Sequence, residues 1–276
     1  MRQVVVISGV AQGMGREVAL MLADAGHAIA GFDVDAEGMA YLEKMLNQKG
    51  KRHQLEVLDI TDRKGLHDFK EGVLRRMGRV DTVLSNVGIG FFGPFEEVDL
   101  EAALKCLEIN VIGAAALFQG FIPFMRKEGR GKLIAMSSLV GRIPFPFESI
   151  YTATKFAIQG LVESIQYEVK PFGIQTAIIE PAQVSTNFAA KIHKLPPEGS
   201  PYRERAGRFI AKDNALIKDA TTPIAAAKKI VKVITSDRVG LHYQVDFQSS
   251  FFLFLNRILP KFARDFILLN YMDIKN

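Results

Sequence analysis

The chain has 276 residues, a formal charge of +5 and a pI near 9.2, with 35 basic and 30 acidic residues interspersed along it. This length suits one α/β domain, 48% apolar residues can fill its core, and the absence of charge blocks argues against nucleic acid as a partner. A single cysteine, Cys106, excludes an intrachain disulfide framework, and five scattered histidines show no metal-ligand spacing.

The opening MRQVVVISG has too short an apolar run for a signal peptide, so a reducing, cytoplasmic location is expected. Its residues 4–8 read as a first strand, followed at once by Ser8-Gly9-Val10-Ala11-Gln12-Gly13-Met14-Gly15 and a helical pattern over 15–25. Glycines at a strand-to-helix junction let backbone approach a pyrophosphate, while the helix N-terminus supplies amide donors and partial positive charge. A plain turn would also use glycine, but strand, turn, helix and a second strand over 28–33 follow in the order a dinucleotide site requires. Asp33 closes that second strand, eighteen residues past Gly15. A carboxylate there can accept hydrogen bonds from a ribose and repel a 2′-phosphate, which favours NAD over NADP; an ordinary turn residue is the alternative, and Arg16 pulls the other way.

Further strands are expected over 54–58, 82–85, 132–137, 175–180 and 242–245, with helices over 36–49, 62–77, 100–126, 151–172 and 223–236. The strands are apolar on consecutive positions, as strands buried on both faces are. Alternation of this kind predicts an α/β fold, a doubly wound parallel sheet with helices on both faces. Residues 184–222 carry prolines, glycines and charges and read as a substrate loop. The domain is expected to span 1–246, with an apolar and basic C-terminal extension over 247–276.

Ser138 stands at the end of the fifth strand, and Tyr151 and Lys155 are four apart at the start of a helical pattern, one turn from each other on one face. An ammonium beside a phenol stabilises the phenolate and lowers its pKa, making a useful general acid and base, and the serine hydroxyl can hold a carbonyl. Tyr-x3-Lys alone is a common coincidence on helix surfaces. Joined to the glycine turn and to a serine thirteen residues upstream, it resembles the short-chain dehydrogenase/reductase family, over residues 2–246.

That resemblance implies a Rossmann fold and a catalytic set of Ser138, Tyr151, Lys155 and Asn110, in which the tyrosine moves the proton, the lysine also binds the nicotinamide ribose and the asparagine holds a relay water. It further implies cofactor contacts from Gly9, Gln12, Gly13, Met14, Gly15, Asp33, Asp59, Ile60, Asn86, Val87, Gly88, Pro181, Val184 and Thr186, and a homodimer or homotetramer. Ser8, Val87 and Ala182 depart from the family's usual threonine, alanine and glycine.

The segment from 151 to 188 is similar to the branch containing hydroxysteroid and retinol dehydrogenases. Ile143, Pro144, Phe145, Pro146, Phe147, Phe91 and Phe92 suggest an apolar pocket for a bulky secondary alcohol or ketone, steroid-like or lipid-like. The extension, interrupted by Pro260, is open to three readings: a lid, a subunit contact or an interfacial membrane helix. The function expected is NAD-dependent interconversion of a hydrophobic secondary alcohol and its ketone. An NADP-dependent ketone reductase and a non-catalytic dinucleotide-binding sensor or scaffold are the alternatives.

Overall fold

The computed structural model describes residues 2–186 and 196–275, so residues 187–195 of the expected substrate loop lie outside the described residues. Seven strands form one sheet: β1 (Val4–Ser8), β2 (Ala28–Asp33), β3 (His53–Val57), β4 (Thr82–Ser85), β5 (Gly131–Met136), β6 (Ile174–Ile179) and β7 (His242–Tyr243). Their spatial order is β3-β2-β1-β4-β5-β6-β7, and every neighbouring pair is parallel. Strands β1, β4 and β5 are buried along their whole length, which is why they read as continuous apolar runs.

The helices are α1 (Gly13–Asp24), α2 (Ala36–Gln48), α3 (Arg63–Met77), α4 (Leu100–Leu107), α5 (Gly113–Glu128), α6 (Ser149–Val169), α7 (Arg203–Lys218), α8 (Pro223–Thr235), α9 (Phe247–Ile258) and α10 (Lys261–Tyr271). Val18 and Leu22 of α1, Leu42 of α2 and Ile230 of α8 pack on one face of the sheet. Phe69 of α3, Phe118 and Phe121 of α5 and Ile158 of α6 pack on the other. Several helices begin where a capping side chain dictates: Asp35, Asp62 and Thr222 accept hydrogen bonds from the amides of Gly38, Gly65 and Ala225.

The doubly wound sheet is as the sequence pattern predicts, with three differences. The helix expected over 100–126 carries one π turn, Glu108–Ile112, between α4 and α5. Hydrophobic period does not register one extra residue in a turn, so the pattern reads through it. The 29-residue run Leu100–Glu128 is apolar enough by composition to cross a membrane, yet Leu117, Phe118, Phe121 and Met125 are buried in the core.

The second difference corrects the loop expected over 184–222: its later part is helix α7. Arginines and lysines surround its few apolar positions and mask their period, but Ala206, Phe209 and Asp213 are buried. The third concerns the extension. Leu259 and Pro260 do split it into α9 and α10, and beyond them Met272 and Ile274 form a small third core with Phe209 of α7. Phe247, Phe254, Phe262 and Phe266 remain exposed on its outer side.

One buried charge ties the layers together. Lys132, 7% exposed in β5, donates to the carbonyls of Ile234 at 2.6 Å and Ser236 at 2.5 Å, the C-terminal end of α8. An ammonium there satisfies carbonyls that the helix end leaves unpaired and lies at the negative end of its dipole. Lys132→Met is expected to lower stability by about 1–3 kcal/mol, read from urea denaturation. A variant as stable as the parent would contradict this role.

Candidate active site

Between β1 and β4 the winding of the sheet changes direction, so the loops following these strands diverge and open a crevice at the carboxyl ends. The two loops are tied across it. The Ser8 hydroxyl accepts from the amides of Asn86 at 3.0 Å and Val87 at 3.2 Å, and the Asn86 side chain donates to the Gly9 carbonyl at 2.9 Å. Gly9 has φ +73°, and a Cβ on it would lie 3.0 Å from the side-chain Nδ2 of Asn86. A Cβ on Gly15 would lie 2.0 Å from the Gly9 carbonyl oxygen, so the first turn of α1 rests directly on the glycine turn. No side chain caps the N-terminus of α1, and no acidic residue occupies its first turn, which leaves its amides free for an anion. Asp33 accepts from the amides of Ala11 at 3.0 Å and Asp35 at 3.1 Å, which fixes its carboxylate beside the turn.

A cleft of about 420 Å³ follows from this arrangement. Of the expected cofactor contacts, Gly9, Gln12, Gly13, Met14, Asp33, Asp59, Ile60, Asn86, Val87, Gly88, Tyr151, Lys155, Pro181, Val184 and Thr186 line it. Gly15 does not; it is buried behind the turn, and its contribution is close packing. Ala182, noted as a departure from the family pattern, lines the cleft too, and Val34, Leu58, Ile89, Lys105, Ile109, Met136 and Ser137 also line it and were not foreseen. Most of these lie just past strand ends, where a parallel sheet faces its crevice, so that rule would have found them. Lys105, on α4, carries no local signal.

Ser138 lies two residues beyond β5 rather than within the strand, at the start of a 3-10 turn over Leu139–Gly141. Its hydroxyl accepts from the Val140 amide and donates to the Pro181 carbonyl, both at 3.3 Å, and it also bonds Tyr151. Tyr151 and Lys155 project from the first turns of α6, and all three residues are at most 9% exposed. The Lys155 ammonium donates to the Met136 carbonyl at 2.9 Å and lies 5.5 Å from the centre of the tyrosine ring.

The expected acidification of the tyrosine is not what this environment does. Burial first, and then the nearby Glu148 carboxyl, push Tyr151 above its ordinary value, and only the Ser138 bond pulls it down. Burial also brings Lys155 down to about 8, which still leaves its ammonium mostly protonated at neutral pH. In this state the phenol holds its proton. Cys106, behind the site and fully buried, is pushed by burial to about 11 and is an inert hydrophobe.

Asn110 does not line the cleft. It is 2% exposed within the π turn; its side-chain oxygen accepts from the Ile89 amide at 2.8 Å, and its amide donates to the Ile89 carbonyl at 2.7 Å and the Thr154 hydroxyl at 3.1 Å. The side chain thus clamps the Gly88-Ile89 strap onto α6, one residue before the lysine.

A second cavity, about 110 Å³, shares Ser138 and Tyr151 with the cleft. Phe92, Leu139, Val140, Phe145, Val184, Ile217, Phe252, Tyr271 and Met272 give it a largely apolar wall, and Glu148, Gln183, Asp213 and Gln248 add polar groups. Of the apolar loop residues proposed for such a pocket, Phe92 and Phe145 line it; Phe91, Ile143, Pro144, Pro146 and Phe147 do not. The extension supplies Gln248, Phe252, Tyr271 and Met272, which walls the cavity with a segment whose sequence left its place open.

The buried ammonium has a measurable consequence. In the unfolded chain Lys155 titrates near 10.5 and in the folded chain near 8, so between those values the unfolded state holds more protons and stability rises with pH. The stability of the parent relative to Lys155→Met is therefore expected to climb from pH 8 to 10.5 and to be flat below, as followed by thermal melts. A flat difference across the whole range would show that burial does not depress this lysine.

Comparison with known proteins accords with this geometry. The family model for short chain dehydrogenase matches residues 3–196. Human 17-beta-hydroxysteroid dehydrogenase type 1 is 32% identical over 204 residues, covering 71% of this chain and 61% of that protein. The chain thus matches less than two thirds of the human protein's length. The 3-ketodihydrosphingosine reductase of Bacteroides thetaiotaomicron is 31% identical over 216 residues, covering 76% and 77%. A short-chain dehydrogenase from Streptomyces avermitilis superposes with a TM-score of 0.81 at 26% identity, over 96% of this chain and 94% of that one. A doubly wound parallel sheet, a glycine turn at its switch point and a family match over most of the chain give one conclusion: the protein belongs to the short-chain dehydrogenase family.

Proposed function

We propose that the chain interconverts a hydrophobic secondary alcohol and its ketone using NAD(H). The observation that carries this reading is that Ser138 and Tyr151 lie in the wall shared by the glycine-turn cleft and the apolar cavity. A reacting carbon beside these two hydroxyls meets cofactor on one side and substrate body on the other.

The residues present fit a nicotinamide dinucleotide: a glycine cradle that a Cβ would fill, an uncapped helix N-terminus for the pyrophosphate and Asp33 for the ribose. When bound, this group supplies the hydride acceptor or donor. Ser138 would orient the substrate oxygen, and Tyr151 would exchange the proton with it. A phenol that burial keeps protonated is ready to protonate a ketone oxygen; in the other direction it must lose its proton, which the Ser138 bond and the charge on Lys155 favour. We assign Lys155 a second role on the nicotinamide ribose and Asn110 a positioning role through the Gly88-Ile89 strap.

Support for NAD over NADP comes from Asp33 in the cleft wall and from Arg16, whose guanidinium sits 5.1 Å over the Tyr41 ring and is not part of that wall. The extension acts as a fixed wall of the cavity. Its outward phenylalanines, with Arg257, Lys261 and Arg264, suit a subunit or membrane-interface contact, which sedimentation and vesicle flotation would tell apart.

NAD⁺ reduction by steroids, retinoids, long-chain hydroxy lipids and small alcohols, with NADP⁺ in parallel, tests the proposal. Bulky members are expected to turn over with NAD⁺ preferred, and Tyr151→Phe is expected to lower kcat/KM by about 10²–10⁴-fold. Turnover of small polar alcohols alone would overturn the substrate class, and full activity in the variant would overturn the proton role.

A further inference from the structure

One polar group in the wall of the apolar cavity has no structural partner that explains it. Glu148 is 5% exposed, lines the cavity and stands at the N-cap of α6, three residues before Tyr151. An acid at that place can accept from the first amides of its helix, as Asp35 and Asp62 do, but the Glu148 side chain makes no such bond. It also forms no ion pair and no hydrogen bond with another described residue. Its neighbours in the wall are engaged: Ser138 donates to the Pro181 carbonyl and bonds Tyr151, and Asp213 accepts from the Gln183 side chain at 2.6 Å.

A carboxyl without partners in an apolar wall costs stability, and the fold gains nothing from it. A ligand that brings the missing hydrogen bonds offsets that cost, whereas a purely apolar one removes the last water from the acid and raises it. Burial holds the Glu148 carboxyl well above the usual carboxylate range, so at neutral pH it keeps its proton and presents both a donor and an acceptor. A hydroxyl has the same pair and matches both at once. An ether oxygen only accepts, and an ammonium only donates and needs the ionised acid. Position supplies the rest: residues three apart at a helix start have Cβ atoms about 5–6 Å apart, so Glu148 and Tyr151 address neighbouring atoms of one ligand.

We infer that Glu148 determines specificity: the cavity takes a substrate with a second hydroxyl within two carbons of its carbinol or keto carbon, and the Glu148 carboxyl binds that hydroxyl. The preferred class is an amphipathic diol or hydroxy ketone. This rests on the redox reading above and narrows its substrate class. In oxidation the carbinol carbon loses hydride to NAD⁺ and its oxygen loses a proton through Tyr151, leaving a hydroxy ketone; the second hydroxyl is not consumed. The apolar wall from Phe92, Phe252 and Met272 takes the hydrocarbon body, and Glu148 selects the end that must sit beside Tyr151.

The test uses matched probes with the full chain and NAD⁺: dodecane-1,2-diol and dodecane-1,3-diol against dodecan-2-ol, dodecan-3-ol, 1-methoxydodecan-2-ol and 1-aminododecan-2-ol. The better diol is expected to exceed its mono-alcohol, the ether and the amine in kcat/KM by about tenfold or more. That ratio is expected to fall towards one in Glu148→Leu and to be largely kept in Glu148→Gln, whose amide still donates and accepts. Equal turnover of diol and mono-alcohol, preference for the ether or the amine, a ratio unchanged in Glu148→Leu, or its loss in Glu148→Gln as well would overturn the inference while leaving the redox reading in place. Glu148→Leu is also expected to melt no lower than the parent; a clear fall would show that the carboxyl belongs to the fold and would count against the inference. If no probe is turned over, calorimetric titration of the NADH-loaded protein decides it. Tighter binding of a diol than of its mono-alcohol, lost in Glu148→Leu, would uphold the inference although the redox reading had failed, and equal binding would reject it.

Discussion

The reversal of winding between β1 and β4 is the constraint from which the site follows. Once these two strands are neighbours and their connections leave in opposite directions, a gap must open above their carboxyl ends. What the chain adds is a means of holding that gap at one width: the Ser8 hydroxyl on two amides of the β4 loop, the Asn86 amide on the Gly9 carbonyl, and Gly15 against the same carbonyl. These bonds leave no room for a side chain at Gly9 or Gly15. The glycines are thus as much a matter of packing between two loops as of access for a ligand.

The second theme is the concentration of ionisable groups in a dry region. Tyr151, Lys155 and Glu148 are all buried, and each is displaced by burial or by a neighbour of the wrong sign. Such an arrangement gives up stability in the free protein, and perturbed groups of this kind gather where chemistry is done. Ligands that bring polar partners can offset the cost. A cleft ready for one anionic ligand and a cavity with a buried acid divide that role across the wall formed by Ser138 and Tyr151.

Much of this was legible in the sequence because it is local. Buried parallel strands announce themselves as unbroken apolar runs, and the glycine turn, Asp33 and the Ser138, Tyr151 and Lys155 spacing lie within short windows. What was not legible depends on distant contacts. The π turn at Asn110 is one residue of extra slack in an otherwise regular helix, and α7 hides its apolar face among arginines. Glu148 and Asp213 are 65 positions apart and come to line one cavity only in the folded chain. The raised pKa of Tyr151 was missed for the same reason: a lysine one turn away is visible in the sequence, whereas burial beside a glutamate is not.

The central claim is that one hydroxyl pair serves both chambers. A crystal structure of the protein with NADH and an amphipathic alcohol tests it most directly. The account predicts the alcohol oxygen within about 3 Å of both the Ser138 and Tyr151 hydroxyls, with the hydrocarbon body among Phe92, Phe252 and Met272. An alcohol lodged elsewhere, or a Tyr151 hydroxyl turned away from it, would contradict it.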